Sequence, residues 1–202
     1  MADVYVNFYD APDFNRREIL RYAGVRELTD EIEALTEECI SLADGKAAFK
    51  VCYAEFPVTL CEDGVDLGFT RVNSATLKKV LSGCACAVVF AATVGIELDR
   101  LVARYSSLSP AKALMLQAIG AERIECLCDL FCADIESAAG IRGENVRPRF
   151  SPGYGDLPLE LQRDIFAVLD CPRKIGLTLN ESLLMSPAKS VTAIVGISSN
   201  GV

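Results

Sequence analysis

The sequence predicts an α+β fold, a sheet packed against helices, from three observations. Two continuous apolar runs, residues 85–93 and 190–197, are typical of strands that are buried on both faces. Residues 111–138 instead repeat their apolar positions with the period of one long helix. The remaining helical and strand patterns follow in mixed order rather than as repeated β-α-β units. The chain of 202 residues is 51% hydrophobic, so we expect one domain with a full core over residues 1–202.

The first part of the chain is predicted to consist of short helices and strands. Helical patterns over residues 16–23 and 28–42 are each followed by a glycine that stops the helix. The alternation of residues 47–60 then predicts a strand, and residues 65–69 predict a shorter one. Residues 74–81 return to a helical pattern before the first buried apolar run.

The long helix has recognisable end signals. Ser109 is a favourable N-cap and Pro110 a favourable first helical residue. We expect the helix to end near Gly140. Glu125 is predicted to lie at the edge of its apolar arc. The arc itself is predicted to contain Leu114, Ala118, Ala121, Ile124, Leu127, Cys128, Phe131, Cys132 and Ile135.

Two shorter helices are predicted on either side of the long one. Residues 96–105 follow the first buried strand with an amphipathic pattern. Residues 158–169 have a similar pattern, which we expect Cys171 and Pro172 to break.

Residues 142–158 are predicted to form a long loop, because they contain three prolines, three glycines and three arginines. Arg149 has a planar guanidinium group that can donate two hydrogen bonds to a carboxylate. Tyr154 has a glycine on each side and supplies an aromatic ring. These residue types suit the binding of a small zwitterion with a flat ring. They are equally compatible with a solvated connector, and the residue types alone leave both interpretations open.

The composition excludes several classes of function. The chain has no histidine, which excludes Ser-His-Asp and Cys-His catalysis and histidine-ligated zinc. Its net charge of −8 makes nucleic acid an unfavourable partner. The first ten residues are acidic where a signal peptide would be basic. No apolar run reaches the roughly 18 residues that cross a bilayer. We therefore expect a cytoplasmic protein.

The nine cysteines are interpreted as reduced, mostly buried thiols. Their number is odd, and no C-x-x-C pair occurs. On a helix, Cys128 and Cys132 share one face while Cys126 points away from it, so the three do not surround one metal. A thiol enzyme that uses Cys84 or Cys126 is another function to consider for this chain. The sequence identifies no base next to either cysteine that would activate its thiol.

One stretch resembles a known family. Arg149-Phe-Ser-Pro-Gly-Tyr154, the segment 175–187 with its Met-Ser-Pro end, and Ser190-Val-Thr192 resemble the C-terminal activation domain of cobalamin-dependent methionine synthase. The family has an R-x-x-P-G-Y loop, a helix, a G-x-x-L-T-E-S segment, a Met-x-Pro turn and a strand that begins Ser-Val. Residues 90–99 and 119–125 resemble the free-standing, shorter relatives of that domain. The likeness covers about residues 75–198 and is weaker over 1–74.

The resemblance implies a twisted, mainly antiparallel sheet with packed helices, and a binding site for S-adenosylmethionine (AdoMet). It implies that Arg149 holds the methionyl carboxylate and that backbone groups of Ser151 and Tyr154, around Gly153, meet the adenine. Tyr154 would also face the cofactor side, and Glu125 would bind the ammonium or the ribose. The resemblance implies no catalytic side chain and no metal ligand in this chain.

The resemblance also implies the activity. The family presents the AdoMet methyl group to the cobalt of a corrinoid, and a flavodoxin-type donor supplies the electron. We therefore expect an accessory protein that reactivates a separate cobalamin-dependent methionine synthase, one that lacks its own activation domain, with a flavodoxin or ferredoxin as donor. Cobalamin would be met only through that partner. The last strand has Ala193, Ile194 and Val195 where the family has aromatic residues. The alternative is therefore a binding or regulatory module for another corrinoid protein that has lost AdoMet.

Overall fold

A five-stranded sheet with helices on both faces forms the centre of the fold. The computed structural model describes residues 2–199; Met1 and residues 200–202 of the expected domain lie outside this range. The strands are β1 (Tyr5–Tyr9), β2 (Phe49–Pro57), β3 (Thr59–Leu60), β4 (Val65–Asp66), β5 (Arg71–Val72), β6 (Cys86–Thr93), β7 (Glu144–Val146), β8 (Thr178–Leu179), β9 (Met185–Ser186) and β10 (Ser190–Ser199). The helices are α1 (Arg16–Tyr22), α2 (Asp30–Ala43), α3 (Ala75–Val80), α4 (Glu97–Leu108), α5 (Pro110–Ile141), α6 (Leu161–Leu169) and α7 (Cys171–Ile175).

The main sheet has the order β1-β2-β6-β10-β7, and every neighbouring pair is antiparallel. Strands β3, β4 and β5 form a small separate sheet, and β8 with β9 forms a hairpin. The predicted α+β class and the mainly antiparallel sheet are therefore confirmed.

The central strand β6 is buried on both faces, as its apolar run predicted. Val88, Phe90 and Ala92 face a core that contains residues of α1, α2, α4 and α5. The alternate residues, among them Val89 and Ala91, face a second core with residues of α3, α6 and α7. The sheet thus separates an α5 side from an α6 side, and the candidate site lies where these two sides meet.

Two strands of the main sheet, β1 and β7, were not predicted from the sequence. Strand β1 pairs with β2 at the edge of the sheet, and its Tyr5 and Phe8 are exposed, so it has no clear apolar pattern. The interpretation of residues 142–158 as a continuous loop was wrong, because β7 lies within it and pairs with β10. That pairing joins segments about fifty residues apart, and a local pattern does not show it.

The long helix α5 ends at Ile141, next to Gly140, as predicted. It differs from the prediction in other details, the first of which is that the Ser109 side chain makes no capping hydrogen bond. Leu114 is exposed, whereas Met115 and Leu116, outside the predicted arc, are buried. The cause is that α5 contacts the sheet on one side and α1, α2 and α4 on others.

The end of α6 also needs correction. Asp170, in the left-handed conformation with φ of 50°, ends the helix, and Cys171 and Pro172 begin α7 instead of breaking α6. Proline in the first turn of a helix loses no intrahelical hydrogen bond, so it is compatible with a start there.

A buried ion pair fixes the N-terminal segment to α5. The Arg123 guanidinium donates to the Glu122 carboxylate at 2.5 and 2.6 Å and to the carbonyl oxygens of Pro12 and Asp13 at 2.6 and 2.8 Å. Arg123 is 1% exposed and Glu122 is 3% exposed. The same guanidinium lies over the ring of Phe14, 4.2 Å from its centroid. This pair was not predicted from the sequence.

Candidate functional site

A cavity of about 390 Å³ opens at the edge of β10. Phe150 exchanges two backbone hydrogen bonds with Ile194, at 2.8 and 2.9 Å, and the chain then turns away from the sheet. The edge of β10 before Ile194 is therefore not covered by that segment, and the cavity occupies this place. Its lining consists of Glu125, Arg149, Phe150, Ser151, Pro152, Tyr154, Gln162, Met185, Ser190, Val191 and Thr192.

The α5 side of the cavity is charged. Arg149 forms a salt bridge with Glu125 of α5, and its guanidinium also lies 3.4 Å from the Asp129 carboxylate. Burial raises the pKa of the Asp129 carboxyl, although the Arg149 charge opposes this shift. A guanidinium beside a carboxylate is complementary to a zwitterion. The guanidinium can bind the carboxylate of the zwitterion, and the carboxylate can bind its ammonium group.

The α6 side of the cavity is neutral and is lined by two nearly buried polar residues. Gln162 of α6 is 5% exposed and Thr192 of β10 is 2% exposed. Within residues 2–199, Oε1 of Gln162 and Oγ1 of Thr192 are the buried side-chain nitrogen or oxygen atoms that have no hydrogen-bond partner. Both atoms are shielded from solvent although the cavity is open, so they lie in the packing behind its wall.

The backbone of Thr192 also faces the cavity. In an antiparallel strand, alternate residues present their N–H and C=O groups to the same side. Ile194 turns these groups to Phe150, and Gly196 accepts a hydrogen bond from Arg147 N–H. Thr192, two residues before Ile194, therefore presents its backbone groups to the same uncovered edge.

The segment that borders the cavity is anchored by Asp156. Its carboxylate accepts hydrogen bonds from the Ser74 hydroxyl at 2.6 Å and from the backbone N–H groups of Ala75 at 2.7 Å and Thr76 at 3.2 Å. These N–H groups belong to the first turn of α3, where a helix has free donors. Asp156 thereby ties the end of the cavity segment to a second element.

We expect this anchor to be pH-dependent. The hydrogen bond from Ser74, together with those from Thr76 and Ala75, lowers the pKa of the Asp156 carboxyl to about 2. An unfolded Asp has a pKa of about 3.9, so the stabilisation is complete above that pH and is lost as the pH falls through about 2. The advantage in thermal stability of the wild type over Asp156→Ala should shrink over this interval, as calorimetry at several pH values would show.

An Asp3→Ala variant is the matched control, because Asp3 is exposed near the N-terminus and accepts no such set of hydrogen bonds in the described part of the chain. A carboxyl titration of Asp156 by NMR with a midpoint near 3.9 would contradict the assignment.

The structure brings four of the five predicted site residues to the cavity wall: Glu125, Arg149, Ser151 and Tyr154. Gly153 is not part of the lining. It has φ of +90°, and a Cβ there would lie 3.2 Å from Leu159 Cδ1, so its contribution is to the path of the backbone. The individual ligand contacts assigned to the five residues stay predictions.

The backbone groups expected to meet the adenine take part in turns. Tyr154 N–H donates to the Ser151 carbonyl at 3.2 Å, and the Tyr154 carbonyl accepts from Leu157 N–H at 3.0 Å. The Tyr154 side chain is 67% exposed at the cavity mouth. The carbonyl oxygens of Ser151 and Tyr154 each keep a second lone pair for a ligand donor.

Gln162, Thr192 and Asp156 were not predicted from the sequence as site residues. Thr192 stood in the Ser190-Val-Thr192 motif, but only as a mark of the family. Gln162 lies in an amphipathic helix, where a polar residue is normally interpreted as solvent-exposed. Their burial depends on how α6 packs on the sheet, and no local signal shows this.

The cysteines provide no candidate nucleophile at the cavity. All nine are free; Cys84 is buried, and Cys126 is half-buried with a thiol pKa that burial raises. An activated thiol requires the opposite shift, toward the thiolate. Among residues 2–199, no group of three or more Cys, Asp or Glu side chains is arranged to hold a metal ion.

Comparison with known proteins gives one family and a structural neighbour. The sequence pattern of the family described as "Vitamin B12 dependent methionine synthase, activation domain" matches residues 79–200. The structure is similar to the crystal structure of the MetH reactivation domain bound to AdoHcy, with a TM-score of 0.73 and 16% sequence identity. The similarity covers 100% of this chain and 80% of the other.

No curated protein matches the chain significantly in sequence. None of the helices within residues 2–199 combines the length and the apolar character needed to cross a bilayer.

Proposed function

This chain belongs to the family of vitamin B12 dependent methionine synthase activation domains, and on that premise we propose that it binds AdoMet and supports the reductive remethylation of cob(II)alamin on a separate cobalamin-dependent methionine synthase. The observation that carries the proposal is the cavity at the edge of β10, with a charged wall at Arg149 and Glu125 and a neutral wall at Gln162 and Thr192. The neighbouring reactivation domain is bound to AdoHcy, which is AdoMet without its transferable methyl group.

The donor set fits AdoMet. The Arg149 guanidinium binds the methionyl carboxylate, and the Glu125 carboxylate binds the ammonium group. The ligand zwitterion thereby replaces the salt bridge between the two residues. Phe150, Pro152 and Met185 supply apolar wall for the flat base. The bulk of AdoMet, a few hundred Å³, is comparable with the cavity volume of about 390 Å³.

The contribution of the chain is positioning and exclusion of water. AdoMet supplies an electrophilic methyl group on its sulfonium, and the chain's residues hold both ends of the ligand so that this group faces the open side of the cavity. In this proposal Tyr154, which is exposed at the mouth, contacts the incoming corrinoid face. No histidine is required, because the methyl transfer needs no general base in the protein.

The overall reaction balances with one electron. Cob(II)alamin, one electron and AdoMet give methylcobalamin and AdoHcy; the carbon–sulfur bond breaks, its electron pair stays on sulfur, and a cobalt–carbon bond forms. The electron comes from a one-electron donor of the flavodoxin or ferredoxin class. The corrinoid is held by the partner synthase, which lacks its own activation domain, and both proteins act in the cytoplasm.

Residues 1–74 and the family-like part, residues 75–198, act as one domain in this proposal. The supporting observation is that Ile19 of α1 and Cys39 of α2 are buried in the same core as α5 and β6. The ion pair of Glu122 and Arg123 adds polar contacts between the N-terminal segment and α5.

The alternative is a binding or regulatory module that serves another corrinoid protein without AdoMet. The substitution of the family's aromatic residues by Ala193, Ile194 and Val195 suggested it. All three side chains are buried in the cores, so they fill the interior at this point rather than form a cover over the cavity.

Isothermal titration calorimetry with AdoMet and AdoHcy separates the two proposals. The reactivation role requires saturable 1:1 binding of both ligands, whereas the module that lost AdoMet binds neither. Absence of saturable binding at millimolar ligand would overturn the proposed function. A further control is free methionine, which has the zwitterion but not the nucleoside and should bind much more weakly.

A further inference from the structure

The charged wall of the cavity has two carboxylates for one guanidinium. Arg149 pairs with Glu125, and its guanidinium also lies 3.4 Å from the Asp129 carboxylate. Glu125 and Asp129 stand one helical turn apart on α5, so they share a face of that helix. The Asp129 side chain is 76% exposed, and water keeps it ionised at neutral pH. The three groups together therefore carry one net negative charge.

The rest of the cavity wall does not offset this charge. Within residues 2–199, the residues that line the cavity besides Glu125 and Arg149 are all uncharged. A second depression, of about 330 Å³, lies between α1 and α5 and also has Glu125 and Asp129 in its wall. Its other acids are neutralised locally, because Glu122 pairs with Arg123 and Glu18 pairs with Arg21.

Lys189 is the charged residue that comes next to the cavity in β10, directly before Ser190. Its methylene groups lie against Gly120 of α5, where any side chain larger than hydrogen would displace them. Its ammonium is attracted by the Asp99 carboxylate of α4, so these two charges compensate each other. The unbalanced charge beside the cavity is therefore that of Asp129.

AdoMet and AdoHcy differ in net charge. AdoMet has a carboxylate, an ammonium and a sulfonium, so it carries one net positive charge. AdoHcy has a neutral thioether in place of the sulfonium and carries no net charge. A site with one net negative charge is neutralised by AdoMet but not by AdoHcy.

Resting on the proposed function, we infer that Asp129 makes the site prefer the sulfonium of the substrate over the thioether of the product. Arg149 and Glu125 hold the amino-acid zwitterion, and the sulfonium follows a few bonds further along the ligand. Asp129, next to Arg149, supplies the negative charge that balances it. It acts through its field and not through a direct bond, so its effect depends on the charge of the ligand and on screening by salt.

The preference favours turnover. Loss of the methyl group turns the sulfonium into a neutral thioether, so the product no longer has this attraction and is displaced by the next AdoMet. The positive charge on sulfur falls as the methyl group leaves, so the attraction is strongest before the reaction. Asp129 therefore contributes to the affinity for AdoMet and not to the rate of methyl transfer.

The test is calorimetric titration of AdoMet, AdoHcy and sinefungin into the wild type and Asp129→Asn. Asparagine keeps the size of the side chain and removes its charge, and the position is exposed, so the variant should fold. AdoMet binding should weaken about three- to tenfold, while AdoHcy binding stays the same or tightens. Sinefungin has an ammonium in place of the sulfonium and no transferable methyl group, so its affinity should fall with that of AdoMet.

A matched control is Glu136→Gln, which removes one negative charge from an exposed position further along α5. It should leave the affinities of all three ligands unchanged. Salt gives a second readout, because it should reduce the AdoMet preference of the wild type but not that of Asp129→Asn. In the methyl-transfer assay, Asp129→Asn should raise the KM for AdoMet and leave kcat unchanged or higher.

The outcomes are distinguishable. If neither AdoMet nor AdoHcy binds the wild type, the proposed function fails and this inference fails with it. If both bind and Asp129→Asn keeps the wild-type ratio of the two affinities, the inference is overturned and the proposed function stands. Equal weakening of all three ligands would assign Asp129 to the orientation of Arg149 and would likewise overturn the charge preference.

Discussion

Replacement of Arg149 by methionine is expected to weaken AdoHcy binding about a hundredfold. The guanidinium is the cavity cation that is paired with Glu125, and in the ligand complex it would hold the methionyl carboxylate. Loss of one partner from a charge-assisted, partly buried contact costs about 2–5 kcal/mol, because the other charge stays without a partner. Calorimetric titration of AdoHcy into the variant measures the effect directly.

The variant should still fold. In the ligand-free protein the salt bridge is partly solvated, with Glu125 41% exposed, so its loss costs little stability. Arg149→Lys should recover only part of the affinity, because an ammonium lacks the planar fork. Arg173→Met, at an exposed arginine of α7, is the matched control and should bind normally. Wild-type affinity in Arg149→Met would remove Arg149 from the site.

Replacement of Arg123 by methionine is expected to lower the free energy of unfolding by about 3–5 kcal/mol. The change leaves the Glu122 carboxylate, 3% exposed, without its cation and frees the carbonyl groups of Pro12 and Asp13. The free energy of unfolding of a domain is only about 5–15 kcal/mol, so this loss is a large part of the total. Urea denaturation followed by circular dichroism measures it.

The double variant Glu122→Leu/Arg123→Met distinguishes a buried charge from lost packing. It removes both charges, so it should be more stable than Arg123→Met alone. Arg104→Met, at an exposed position of α4, should be nearly neutral. A loss below about 1 kcal/mol for Arg123→Met would show that the pair does not fix the N-terminal segment.

The elements predicted correctly from sequence are those whose pattern is local. Residues 85–93 and 190–197 are buried on both faces, so their apolar runs were continuous, and they became β6 and β10. Strands β1 and β7 lie at the two edges of the sheet, where partial exposure weakens the pattern. The antiparallel arrangement depended on the family resemblance, because a buried run is compatible with either direction.

The candidate site was predictable where it has an unusual composition. Arg149, Ser151 and Tyr154 stand in a segment rich in proline and glycine, and they do line the cavity. Gln162 and Thr192 come from a helix and a strand of ordinary pattern, and their shared burial results from packing between distant segments. Asp156 likewise acts through Ser74, more than eighty residues away in sequence.

The central claim is that this chain lets AdoMet methylate the cobalt of a separate synthase. The direct measurement is transfer of labelled methyl from AdoMet to cobalamin held by a methionine synthase without its activation domain, with reduced flavodoxin present. The account predicts one labelled methyl per cobalamin, a methylcobalamin spectrum only when this protein is added, and a large loss of rate with Arg149→Met. Persistence of cob(II)alamin with the complete mixture, or methylation at the same rate without this protein, would contradict the account.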